Sequence, residues 1–133
     1  MSVCLLLIGD GREDYRERTL RSAAVALPPM DYCVEVDDTA HELGFAGAIQ
    51  AGWDAALETG ATHVFHLEAD FTFNEAVPLE AMLDELDAHP TLAQVALKRQ
   101  AWNAEEKAAG GICELHPGDF IDRGPLCWHR RFF

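Results

Sequence analysis

The chain has 133 residues, 49% hydrophobic and 25% charged, enough for one domain with its own core and too apolar for disorder. Its 23 acidic and 10 basic side chains leave a formal charge of −13, which argues against a nucleic-acid surface, because phosphate backbones need clustered Lys and Arg. No run approaches the roughly 18 apolar residues of a membrane span, and Val3 to Ile8 is too short and lacks the basic leader of a signal peptide, so the expectation is one cytoplasmic domain over 1–133.

Val3 to Ile8 reads as a buried strand ended by Gly9-Asp10-Gly11. Asp14 to Ala26 has helix-forming composition until Pro28-Pro29 stops it, and Arg16, Arg18 and Arg21 lie on it with Arg12 just before. Tyr32 to Val36 is a second strand, running into Asp37-Asp38. Phe45, Ile49, Trp53 and Ala56-Leu57 recur at helical spacing, and Gly60 closes that helix. His63 to Leu67 is a third strand, leading into Glu68-Ala69-Asp70. Pro78 to Ala88 reads as a helix ended by His89-Pro90, and Leu92 to Leu97 as a fourth strand meeting Lys98-Arg99. A short strand over Ile112 to Leu115 and an irregular tail complete the chain. Alternating strands and crossover helices predict an α/β fold, a three-layer sandwich around a mostly parallel sheet.

Three strand ends in this order are acidic or glycine-rich: Gly9-Asp10-Gly11-Arg12, Asp37-Asp38-Thr39 and Glu68-Ala69-Asp70. In open α/β sheets ligands bind at this edge. The Glu-x-Asp triplet there suits a hard divalent cation, which can in turn hold a diphosphate. His66, Glu68 and Asp70 share a parity, so a metal site using the histidine is one reading and a buried, hydrogen-bonded His66 the other. His66-x-Glu68 begins a zinc-deaminase signature, but no Pro-Cys-x-x-Cys follows. Gly9-Asp10-Gly11 lacks the further glycine and the lysine of phosphate-binding loops. Cys4, Cys33, Cys113 and Cys127 form no Cys-x-x-Cys pair, so reduced thiols are expected. Trp53 reads as a core residue, whereas Trp102 and Trp128 lie in polar, irregular surroundings suited to a sugar face.

Taken together, Arg18-Thr19-Leu20-Arg21-Ser22, Val36-Asp37-Asp38, Gly44 to Gly52 and His66-Leu67-Glu68-Ala69-Asp70 resemble the nucleotide-sugar half of GT-A fold glycosyltransferases, especially the family-2-like inverting enzymes. The resemblance covers residues 3 to about 100. Leu97 to Gly111 also resembles small glycosyltransferases of actinobacterial bacteriophages, which would place the protein in a host cytoplasm. The resemblance implies transfer of a sugar from a UDP- or GDP-linked donor to an acceptor that the sequence does not identify, with Mn²⁺ or Mg²⁺ as cofactor. Ile8, Gly9, Arg12, Gly47 and Ala69 would line the nucleotide pocket, and Asp37 or Asp38 would bond the base or ribose. Asp70 would ligate the metal, with Glu68 on the ribose, the metal or its water shell; the family usually has Asp at the position of Glu68. Lys98 and Arg99 would offset charge on the leaving diphosphate.

An inverting transfer needs a carboxylate base for the acceptor hydroxyl. Glu114, Asp119 and Asp122 are candidates by position only. From about residue 100 onward the acceptor half is expected to be incomplete relative to the family, and the aromatic, basic tail His129 to Phe133 points to closure over the diphosphate or to a homodimer. The alternative is a catalytically incomplete relative that binds nucleotide or a partner chain without turnover.

Overall fold

The computed structural model describes residues 1–73, 75–95 and 97. Its elements are β1 (Val3–Gly9), α1 (Glu13–Ala26), β2 (Tyr32–Asp37), α2 (Gly44–Glu58), β3 (His63–Glu68) and α3 (Leu79–Ala88). They divide between two units, Met1–Val77 and Pro78–Phe133. The first holds a parallel sheet in the order β2-β1-β3, with α1 and α2.

The apolar run of β1 follows from its position. It has a strand on either side and a helix against each face, so side chains of both parities are buried, Cys4, Leu6 and Ile8 on one face and Val3 and Leu7 on the other. Register identifies the layers. Leu6 lies beside Val34 and His66, and Ile8 beside Val36 and Glu68. On this face Leu6, Ile8 and Ala48 of α2 form a core cluster, with Val34, Val36 and Val64 packed against it. Gly52 lets α2 come close, since a Cβ there would lie 2.7 Å from Ile8 Cδ1 and 2.9 Å from Leu6 Cδ1.

The opposite face carries Leu7 beside Glu35 and Leu67. Glu35 takes a two-pronged ion pair from Arg16 of α1, one arm at 2.8 Å. Phe65 of the same face meets Phe73 with ring centroids 6.3 Å apart, and the Phe73 N–H donates to Ser22 Oγ of α1 at 3.1 Å. The helices therefore lie on opposite faces, giving a helix-sheet-helix layering within this unit. Right-handed connections require it: the chain runs from β1 out to β2, then back past β1 to β3.

Helix limits follow local chemistry. α1 begins at Glu13, one residue before the expected start, and α2 closes at Gly60, whose φ of +78° is the left-handed conformation that suits glycine. Pro78 caps α3, and the helix proper starts at Leu79. Of the fourth strand expected over Leu92 to Leu97, none of the described residues, 92–95 and 97, is in strand conformation, and the Leu92 N–H instead closes a turn on His89 O at 2.8 Å. An Ala-Gln pair inside that run weakens its strand preference, and an apolar run makes a strand only when a neighbour takes its ladder bonds. The expected strand over Ile112 to Leu115 lies outside the described residues. No helix among the described residues is long and apolar enough to cross a membrane.

Candidate functional site

The C-terminal ends of the three strands are tied to one another through β1. Gly9 O accepts the Asp38 N–H at 3.0 Å, and Ile8 O accepts the Ala69 N–H at 2.8 Å. The turn after β1 also abuts the loop after β2. Gly11 has φ +86°, and a Cβ on it would come within 2.8 Å of Thr39, so both backbone conformation and space demand glycine. Ile8 and Gly9 thus give the floor its backbone, while the Ile8 side chain belongs to the core beneath.

Asp37 and Asp38, indistinguishable as candidates in the sequence, differ in the fold. Asp38 is buried, and its Oδ1 accepts the Leu43 N–H at 3.1 Å, shaping the entry to α2. Its carbonyl accepts the His41 N–H at 2.9 Å, and His41 has a φ of +54° in this tight loop. Asp37 ends β2 with its side chain exposed and is touched by the Thr39 hydroxyl. Of the two, Asp37 is the carboxylate open to solvent.

Among the described residues, Arg12 is the cation that meets both the β1 and the β3 ends. It precedes α1 as its N-cap, without a side-chain cap bond of its own. Asp10 Oδ1 accepts from Arg12 Nε at 2.9 Å and from its backbone N–H at 3.3 Å. Its Nη2 lies 3.6 Å from Asp70 Oδ2, and its guanidinium carbon sits 4.8 Å from the centre of the Tyr15 ring. The Arg12 hydrogen bond pulls the Asp10 carboxyl below its ordinary pKa, and Asp10 foremost, then Asp70, raises that of the guanidinium. Arg12 thereby links the end of β1 to the end of β3. Asp10 enters the sequence reading only as part of the Gly9-to-Arg12 strand end and Tyr15 not at all; the signals for their hold on Arg12 are the Asx-type spacing of Asp10 and Arg12 and the three-residue spacing of Arg12 and Tyr15.

Asp70 stands exposed just past β3, whereas Ala69 is buried against Gly9 and Glu68 is half-buried on the α2 side. Gly47, the fourth residue of α2, has Leu43 Cβ as the nearest side-chain atom to an added Cβ, at 3.3 Å. His66 is buried, and its Nδ1 accepts the Trp53 Nε1–H at 3.2 Å. Burial lowers its pKa, so the ring is neutral with its proton on Nε2. The hydrogen-bonded reading of His66 therefore describes it, and Trp53, expected in the core, is exposed, its indole N–H reaching inward to His66. Among the described residues no three His, Cys, Asp or Glu side chains are grouped to hold a metal ion. Lys98, Arg99, Trp102, Glu114, Asp119, Asp122, Trp128 and the tail lie outside the described residues.

Comparison of the chain with protein-family models, with curated proteins and with solved structures returned no match.

Proposed function

We propose that the chain is a GT-A-like domain that binds a nucleotide-diphosphate sugar and transfers the sugar to an acceptor with inversion, assisted by Mn²⁺ or Mg²⁺. The observation that carries this reading is the meeting of three loops at one edge of a parallel sheet, with an exposed carboxylate on either side of β1: Asp37 after β2 and Asp70 after β3. That edge is where open α/β sheets take their ligands.

Asp37 accepts a hydrogen bond from the base or ribose, and the Gly9-Gly11 turn lets the nucleotide approach the backbone. Asp70 suits the cation, because its carboxylate stands exposed just past the end of β3. Magnesium sites on nucleotides use one or two carboxylates, with phosphate and water oxygens supplying the rest, so the small acidic set here fits. A bound cation would neutralise charge developing on the leaving diphosphate. Arg12 supplies a second positive charge on the same side, and Lys98 and Arg99 remain proposed for this role by sequence alone. Glu114 and Asp119 are proposed base candidates on the same footing.

Calorimetric titration with UDP and GDP, in Mn²⁺ and then in EDTA, tests the reading. Metal-dependent micromolar binding is expected, and Asp70→Ala should weaken it by on the order of tenfold or more, since even indirect metal partners are worth that much. Absence of binding to either nucleotide overturns the assignment.

A further inference from the structure

We infer that Arg12 is the resident counter-cation of Asp70, displaced when a metal-bound nucleoside diphosphate enters, and that its freed guanidinium fork then grips the diphosphate. The inference rests on the metal-nucleotide reading above and adds to it an exchange of partners at one carboxylate.

The two contacts of Arg12 are unequal. Its Nε and backbone N–H are hydrogen-bonded to Asp10, at 2.9 and 3.3 Å, while Nη2 stands 3.6 Å from Asp70, beyond hydrogen-bond distance. Nη1 and Nη2 make no hydrogen bond to the described residues. The guanidinium is thus held at its inner nitrogen, against the Tyr15 ring, and, being planar and rigid, re-aims its outer fork by rotation of the aliphatic stem, which the exposure of the Arg12 and Asp10 side chains, 49% and 41%, allows. A planar fork held at one end matches two phosphate oxygens. Both side chains are partly open to solvent, 49% for Arg12 and 35% for Asp70, so entering groups reach them without unpacking the core. A guanidinium beside Asp70 and a divalent cation on Asp70 repel each other, so one position holds one of them at a time. Asp10 keeps the displaced Arg12 at the edge of β1, where the diphosphate lies when the metal sits on Asp70.

The test is Mn²⁺ binding, read from the electron paramagnetic resonance of the free ion, first alone and then with UDP. The proteins are wild type, Arg12→Gln, Arg12→Lys and Arg21→Gln. Arg21 pairs with Glu17 on the exposed surface of α1, so its substitution changes net charge equally without touching Asp70. Arg12→Gln should bind Mn²⁺ alone on the order of tenfold more tightly than wild type, with Arg21→Gln within about twofold. UDP should tighten Mn²⁺ binding strongly in wild type and far less in Arg12→Gln. Arg12→Lys, which keeps the charge but not the fork, should match wild type for Mn²⁺ alone and lose the gain with UDP. If Mn²⁺ and UDP bind but Arg12→Gln behaves as Arg21→Gln does, the exchange is wrong and the nucleotide site stands. If no protein binds Mn²⁺ with or without UDP, both fall.

Discussion

Asp37→Ala and Asp38→Ala remove adjacent carboxylates and should have opposite consequences. Asp38 accepts the Leu43 N–H at 3.1 Å, and the residue is 8% exposed. A hydrogen bond to a charged group is worth about 1.5–3 kcal/mol net. Leu43 itself is 51% exposed, so water partly replaces the lost acceptor and the lower end, about 1.5 kcal/mol, applies. At about 4 °C per kcal/mol for a domain of this size, Asp38→Ala should lower the Tm by about 6 °C. Asp38→Asn, which keeps an oxygen acceptor, should recover more than half of that. Asp37 is exposed, so its loss should change stability by less than about 0.5 kcal/mol, while UDP affinity falls by roughly tenfold as one hydrogen bond to the ligand disappears. Scanning calorimetry gives the first quantity and titration well below the Tm gives the second. A stable Asp38→Ala protein that no longer binds UDP, beside an unstable Asp37→Ala protein that does, would refute the assignment.

Gly52→Ala should destabilise despite the helix-propensity gain of about 1 kcal/mol. The new methyl meets Ile8 and Leu6 at 2.7 and 2.9 Å in a packed cluster, and overpacking costs about 1–3 kcal/mol. Gly52→Val should be worse still, and urea midpoints equal to wild type for both would show that the α2 approach is misjudged. Buried His66 has a lowered pKa, so below pH about 6.5 the unfolded chain takes up a proton that the folded chain refuses. Stability should therefore be full above that pH and fall as the pH drops from there toward the lowered folded value; urea midpoints at pH 7.5 and 5.5 should show the loss in wild type and a smaller loss in His66→Asn.

Strand β1 was legible because a strand buried on both faces leaves a continuous apolar run, and α2 because Phe45, Ile49, Trp53 and Ala56-Leu57 recur at helical spacing up to the Gly60 stop. The buried face, however, is that of the small residues Ala48, Gly52 and Ala56, while Phe45, Trp53 and Leu57 are exposed, because close approach to β1 needs small side chains. Leu92 to Leu97 misled because a short apolar run carries no information about whether a neighbouring strand is present to take its hydrogen bonds. That three acidic or glycine-rich strand ends lie side by side was legible, but the different surroundings of their carboxylates were not. Asp37 and Asp38 are chemically identical in sequence, and only the Leu43 N–H separates them. The Arg12 contact with Asp70 joins residues 58 positions apart, by 70 − 12, and depends on β3 lying next to β1.

That adjacency carries a further consequence for the proposed ligand. The chain leaves β1 toward β2 through α1 on one face and reaches β3 through α2 on the other. Neither connection passes between the ends of β1 and β3, which leaves the crevice that open α/β sheets use for ligands. Arg12 and Asp70 meet there, while Asp37 stands on the other side of β1. Strands are spaced about 4.8 Å apart, so the ends of β2 and β3 lie roughly 10 Å from each other across the sheet. On the proposed reading, a metal ion or a nucleoside alone would engage one of the two carboxylates, and a nucleoside diphosphate would be long enough to engage both. The base of the ligand would then lie toward Asp37 and its metal-bound phosphate toward Asp70, where Arg12 stands.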